Sequence, residues 1–113
     1  MKMIIAYIQS FMLEKVTDAL REKHIHGVTI LDCCGFGRLA EDKRPHYLDP
    51  DDRTGFVEKK KIEIVCSDEA VSEIVQTIRK SAHTGRHGDG KIFVSYMLGA
   101  VDIRTDLQGE GIL

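Results

Sequence analysis

The chain has 113 residues, 42% of them hydrophobic and 30% charged, with a formal net charge of −2. That length suits one domain over residues 1–113 with a modest core, and the near-neutral balance gives no global pull toward nucleic acid or an anionic membrane surface. No apolar run reaches the roughly 18 to 20 residues needed to cross a bilayer, no signal-peptide pattern opens the chain, and an odd number of cysteines cannot all pair within it, so a cytoplasmic protein without a disulfide framework is expected.

Residues 3–8 form a short apolar run that predicts a buried strand. Ser10 is a plausible N-cap for the helix that follows, in which Leu13, Val16 and Leu20 recur at helical spacing while Glu14, Lys15, Asp18 and Arg21 take other faces. Gly27 is placed to end that helix or turn the chain. Val28 to Cys34 reads as a second strand. Residues 35–56 carry Gly35, Gly37, Pro45, Pro50 and Gly55 among many charges, which predicts a long loop, and loops of that length in compact domains are usually functional. Val57 to Cys66 reads as a third strand with Ile62, Ile64 and Cys66 on one face. Ser67, Asp68 and Glu69 form a helix start, after which Val71, Ile74, Val75, Ile78 and Ala82 line one face. Residues 91–97 read as the fourth strand. The order β-α-β-β-α-β predicts an α+β, ferredoxin-like fold: a four-stranded antiparallel sheet with both helices on one face.

A sheet with one wet face should alternate apolar and polar residues. Ile4, Ile5 and Ala6, like Ile92, Phe93 and Val94, do not alternate. Two helices cover only one face, so the other is expected to be covered by another copy of the chain.

The richest stretch is Thr84-Gly85-Arg86-His87-Gly88-Asp89-Gly90-Lys91-Ile92-Phe93-Val94, in a loop of about residues 83–91. Its glycines let backbone N–H groups face a ligand closely, such groups form anion-binding concavities, and Arg86 and Lys91 supply positive charge. The run is not a Walker A loop, because the spacing and the hydroxyl after the lysine are absent. By chemistry alone it is either a phosphate site or a plain glycine-rich turn.

The motif T-x-x-x-G-D-G-K-I-F-V resembles the signature of the PII signal-transduction family, the nitrogen regulatory proteins and their relatives. Met3 to Ile8 with Leu13 to Leu20 resembles that family's opening strand and helix. Gly35-Phe36-Gly37-Arg38 resembles the G-x-G-R that opens its signalling loop, here about residues 37–56. Lys61-Ile62-Glu63-Ile64-Val65 resembles the strand closing that loop, and Ile103-Arg104-Thr105 its C-terminal motif, in a segment of about residues 99–113. The resemblance implies a homotrimer with sheets facing inward, an adenine nucleotide (ATP, ADP or AMP) in the clefts between subunits, and a target protein engaged by the long loop, a membrane transporter being one expected class. The implied nucleotide-binding residues are Gly35, Gly37, Arg38, Thr84, Gly85, Arg86, Gly88, Asp89, Gly90, Lys91 and Arg104. Gly37 either lines the cleft or only shapes the loop, and Thr84 either donates its hydroxyl to the ligand or caps the loop.

Three departures from the family pattern carry consequences. Asp102 stands where an arginine is usual. At an effective dielectric near 20, unit charges about 4 Å apart interact by about 4 kcal/mol, so a reversed charge disfavours a triphosphate more than a monophosphate. Leu39 replaces the usual glutamine and has no oxygen for a hard cation, so 2-oxoglutarate sensing is not expected. Asp52 stands near the usual modified tyrosine, while Tyr47 matches an unmodified position. A divergent, PII-like regulator is therefore expected, with no catalytic residue, no metal site, no nucleic-acid partner and no membrane insertion. Its rival is a trimeric divalent or heavy-metal-binding protein of the cation-tolerance type, in which Cys33, Cys34 and the histidines would be ligands. Adjacent strand residues point to opposite faces, which argues against Cys33 and Cys34 sharing one ion. His46 with Asp49, Asp51 and Asp52 reads as either a cation site or a solvated acidic loop.

Overall fold

The computed structural model describes residues 1–37 and 56–113. In chain order they form β1 (Lys2–Gln9), α1 (Leu13–Glu22), β2 (Val28–Gly35), β3 (Val57–Cys66), α2 (Val71–Ala82) and β4 (Gly90–Tyr96). The strands make one sheet in the order β2-β3-β1-β4, antiparallel at every pairing. This is the ferredoxin-like arrangement that the β-α-β-β-α-β pattern predicts.

The core lies between the sheet and the two helices. Ile4, Ala6 and Ile8 of β1 alternate inward with Ile62, Ile64 and Cys66 of β3, and meet Val16 and Leu20 of α1 and Ile74, Ile78 and Ala82 of α2. Val71 and Val75 pack at the margin of this cluster. The opposite face of the sheet has no cover among the described residues. There the register aligns Met3 with Val65, and Ile5 with Phe93, while Leu31 pairs with Lys61 opposite Tyr7. Phe93 is 52% exposed and Leu31 40%, so large apolar side chains stand in solvent on the face where β1 fails to alternate.

The helix ends differ in detail from the sequence reading. Ser10 is not the cap of α1. It begins a 3₁₀ turn, Ser10–Met12, and Met12 occupies the N-cap without a side-chain hydrogen bond. Ser67 likewise precedes a 3₁₀ turn, Asp68–Ala70, and makes no cap bond. In both places the tighter turn satisfies backbone donors locally, which removes the need for a hydroxyl cap. Asp68 instead binds the N-terminal ammonium at 3.2 Å and Lys2 at 2.9 Å, tying α2's approach to the start of β1. Helix α1 closes through His24, which takes a left-handed φ of 57°, with His24 N–H donating to Arg21 and Ile25 N–H to Leu20, each at 3.0 Å. This is a Schellman closure, so Gly27 turns the chain into β2 rather than ending the helix.

The two ends of the sheet have different duties. At one end Gln9, Lys59 and Cys33 lie level across β1, β3 and β2, and Gly90 lies opposite Ile8. Both the glycine-rich loop and the base of the long loop sit there. Phe36 and Phe56 meet edge to face at that base, with ring centroids 5.6 Å apart. At the other end Met97 N–H donates to the Met1 carbonyl at 3.1 Å, and the C-terminal segment departs.

Gly90 is where the loop becomes strand. Its φ is 107°, and a Cβ there would be driven into the Tyr7 carbonyl oxygen of the neighbouring strand. Gly90→Ala is expected to lower stability by at least about 2 kcal/mol in urea unfolding, through left-handed strain and the backbone clash together. A change within about 0.5 kcal/mol, the range of a neutral surface substitution, would show that the close approach does not constrain the sheet.

Candidate functional site

The glycine-rich loop is shaped from within by one carboxylate. Asp89 Oδ2 accepts the Thr84 N–H at 2.8 Å and the Gly85 N–H at 3.0 Å, while Oδ1 accepts the Thr84 hydroxyl and Gln9 Nε2, the latter at 3.0 Å. Thr84 Oγ1 in turn accepts the Arg86 N–H at 3.2 Å. Gly85, Gly88 and Gly90 have φ of 87°, 97° and 107°, so the chain reverses sharply around the carboxylate. Hydrogen bonds to the ionised form favour it: the Thr84 hydroxyl, then the Thr84 and Gly85 N–H groups, hold the Asp89 carboxyl down at about 2.

Two side chains tie this loop to the sheet. Gln9 reaches it from the end of β1, and Lys59 Nζ donates to the Gly88 carbonyl at 2.5 Å from β3. Lys59 also offers its own carbonyl to the Cys33 thiol at 3.5 Å. The N–H groups of His87 and Gly88 take part in none of these bonds, and Arg86 and Lys91 are exposed beside them. A polyanion settling there would meet backbone donors and two cations on a preformed turn.

The structure brings together Thr84, Gly85, Arg86, Gly88, Asp89, Gly90 and Lys91, and it places Gly35 at the same end of the sheet, paired with Val57. Gly37 follows as an exposed residue. Arg38 lies outside the described residues, as do Leu39, His46, Tyr47, Asp49, Asp51 and Asp52. The Thr84 hydroxyl donates to Asp89 within the loop. Arg104 lies in the segment that departs beyond β4, after Met97 has bonded to Met1. The length of β4, about 20 Å at roughly 3.3 Å per residue, lies between it and the loop along the chain, and no ion pair holds it among the described residues. Gln9 and Lys59 were not legible as loop partners, because their role comes from strand register. Among the described residues no group of three or more His, Cys, Asp and Glu is arranged to hold a metal ion, and no helix is long and apolar enough to cross a membrane.

Because Asp89 titrates low, its bonds hold the loop fully above the ordinary carboxylate range and are lost only as pH falls through about 2. The Thr84 and Gly85 amide resonances, followed by NMR during acidification, should therefore move together near pH 2. A shared midpoint at the ordinary value of 3.8 would contradict the clasp. Asp89→Ala should release both amides at neutral pH.

Comparison with known proteins places this geometry. A family model described as nitrogen regulatory protein P-II matches residues 1–107. The chain is 43% identical over 109 residues to a nitrogen regulatory protein P-II from Mesorhizobium japonicum, covering 96% of each chain. It is 34% identical to the nitrogen regulatory protein GlnK of Escherichia coli over 100% of both chains. Its fold superposes with a TM-score of 0.78 on an Arabidopsis thaliana PII protein bound to citrate, at 35% identity, covering 97% of this chain and 89% of that one. The signature loop, the split β-α-β-β-α-β sheet and these relationships agree, and the chain belongs to the nitrogen regulatory protein P-II family of signal-transduction proteins.

Proposed function

We propose that this protein is a homotrimeric regulator that binds an adenine nucleotide between subunits and signals to a target protein through its long loop. The observation that carries the reading is the preformed turn at residues 84–90, with the exposed cations Arg86 and Lys91, at the same end of the sheet as the base of the long loop. Ligand occupancy at that turn would be felt at the loop base through Lys59 and Gln9, which bridge the two. This is a shift between states by differential contacts, and the reading assigns no catalytic role to any residue.

The trimer reading has its own physical support. The uncovered sheet face exposes Leu31 and Phe93, and the segment beyond β4 exposes Leu98 and Ile103 completely. Contiguous exposed apolar surface marks an interaction site. Arg104, remote from the glycine loop of its own chain, would complete the loop of a neighbouring copy. A membrane transporter is one class of target for a regulator of this family. The Arabidopsis relative's citrate is a compact polyanion, and it supplies a competitor that tests charge against nucleotide recognition.

Light scattering at micromolar concentration should give the mass of three chains, and a stable monomer would remove the shared cleft. Lys91→Ala and Arg104→Ala should each weaken ADP and ATP binding by about ten- to a hundredfold in calorimetry, as expected for a lost charged hydrogen bond to phosphate. Unchanged affinity in both variants would move the site elsewhere.

Hydrogen exchange across residues 37–56 should slow when nucleotide is added, and Arg38→Ala should reduce that protection while the nucleotide still binds. Equal exchange in free, bound and variant protein would end the signalling reading.

A further inference from the structure

The segment beyond β4 folds back as a small hairpin. Val101 bridges Gln108, Asp102 N–H donates to the Leu107 carbonyl at 2.8 Å, and Gly109 N–H donates to Ala100 at 3.0 Å. Residues 103–106 form the tip, closed by the Asp106 N–H donating to the Asp102 carbonyl at 2.8 Å. Asp106 takes a φ of 61°, a left-handed state that aspartate tolerates better than most residues. The Asp102 side chain completes the frame: its Oδ1 accepts the Thr105 N–H at 2.9 Å, and Thr105 Oγ1 accepts the Leu107 N–H at 3.2 Å. Asp102 thus uses its N–H, its carbonyl and its carboxylate to hold one turn. Arg104 stands at the tip of that turn, exposed, beside a fully exposed Ile103.

The carboxylate has a second property. No cation pairs with it among the described residues, so a negative charge stays on the turn two residues from the Arg104 guanidinium. A phosphate chain reaching Arg104 meets attraction from one and repulsion from the other, and the repulsion grows with each added phosphate charge.

We propose that Asp102 is both the positioning residue for Arg104 and the selectivity residue of the nucleotide site, favouring the diphosphate over the triphosphate. This rests on Arg104 being a phosphate contact. The two duties separate by substitution, because asparagine keeps an oxygen that accepts the Thr105 N–H but carries no charge, whereas alanine removes both.

The test uses the full chain with Asp102→Asn and Asp102→Ala, and two readouts: Thr105 amide exchange by NMR in the free protein, and calorimetric affinity for ADP and ATP. Asp102→Asn should leave Thr105 exchange within about twofold of native while raising the ratio of ATP to ADP affinity about fivefold. Asp102→Ala should speed Thr105 exchange about fivefold or more and weaken both nucleotides. Unchanged Thr105 exchange in Asp102→Ala overturns the positioning role, and an unchanged affinity ratio in Asp102→Asn overturns the selectivity role. Were the native protein to bind neither nucleotide, the functional reading and the selectivity role would fall together, and Thr105 exchange would still decide whether Asp102 holds the turn.

Discussion

Strand β1 has to satisfy two apolar faces at once, and the rest of the molecule follows from that demand. Its inward residues Ile4, Ala6 and Ile8 are buried beneath the helices. Its outward residues Met3, Ile5 and Tyr7 lie among Leu31, Val65 and Phe93 on a face that the described residues leave uncovered. Central placement between β3 and β4 lets β1 hydrogen-bond along both edges and puts its C-terminal residue, Gln9, beside both functional loops. A strand that alternated cleanly would build the same sheet without any pressure toward association.

The glycine loop shows how a site can be rigid while made of the most permissive residue. Glycine allows the turn but does not choose it. Asp89 makes the choice, by gathering donors from Thr84, Gly85 and Gln9 around one carboxylate. Its ionisation well below the ordinary range means that the clasp is intact at any physiological pH. The carboxylate's charge is bonded into the loop, and the flanking cations Arg86 and Lys91 stay exposed.

The C-terminal hairpin uses the same device at lower cost in residues. Asp102 acts there as Asp89 acts in the loop, its carboxylate accepting a backbone N–H, that of Thr105. The difference lies in the charge that remains. Four donors surround Asp89, one bonds Asp102, and the exposed Arg104 guanidinium sits close by in sequence.

Much of the fold was legible in the residues. Periodicity located all six elements, the strands within a residue at each end, because burial on one face writes itself as spacing in Ile62, Ile64 and Cys66 or in Ile74, Ile78 and Ala82. The signature loop was legible because left-handed φ demands glycine at Gly85, Gly88 and Gly90. The helix starts were misread at Ser10 and Ser67, since a 3₁₀ turn satisfies the same donors as a hydroxyl cap and leaves no distinct pattern. Register was beyond reach: nothing local says that Gln9, Lys59 and Cys33 lie level across three strands, yet that alignment joins the glycine loop to the base of the long loop. Local chemistry determines what each segment can be, and strand pairing over distances of 26 to 80 residues decides which of those segments meet.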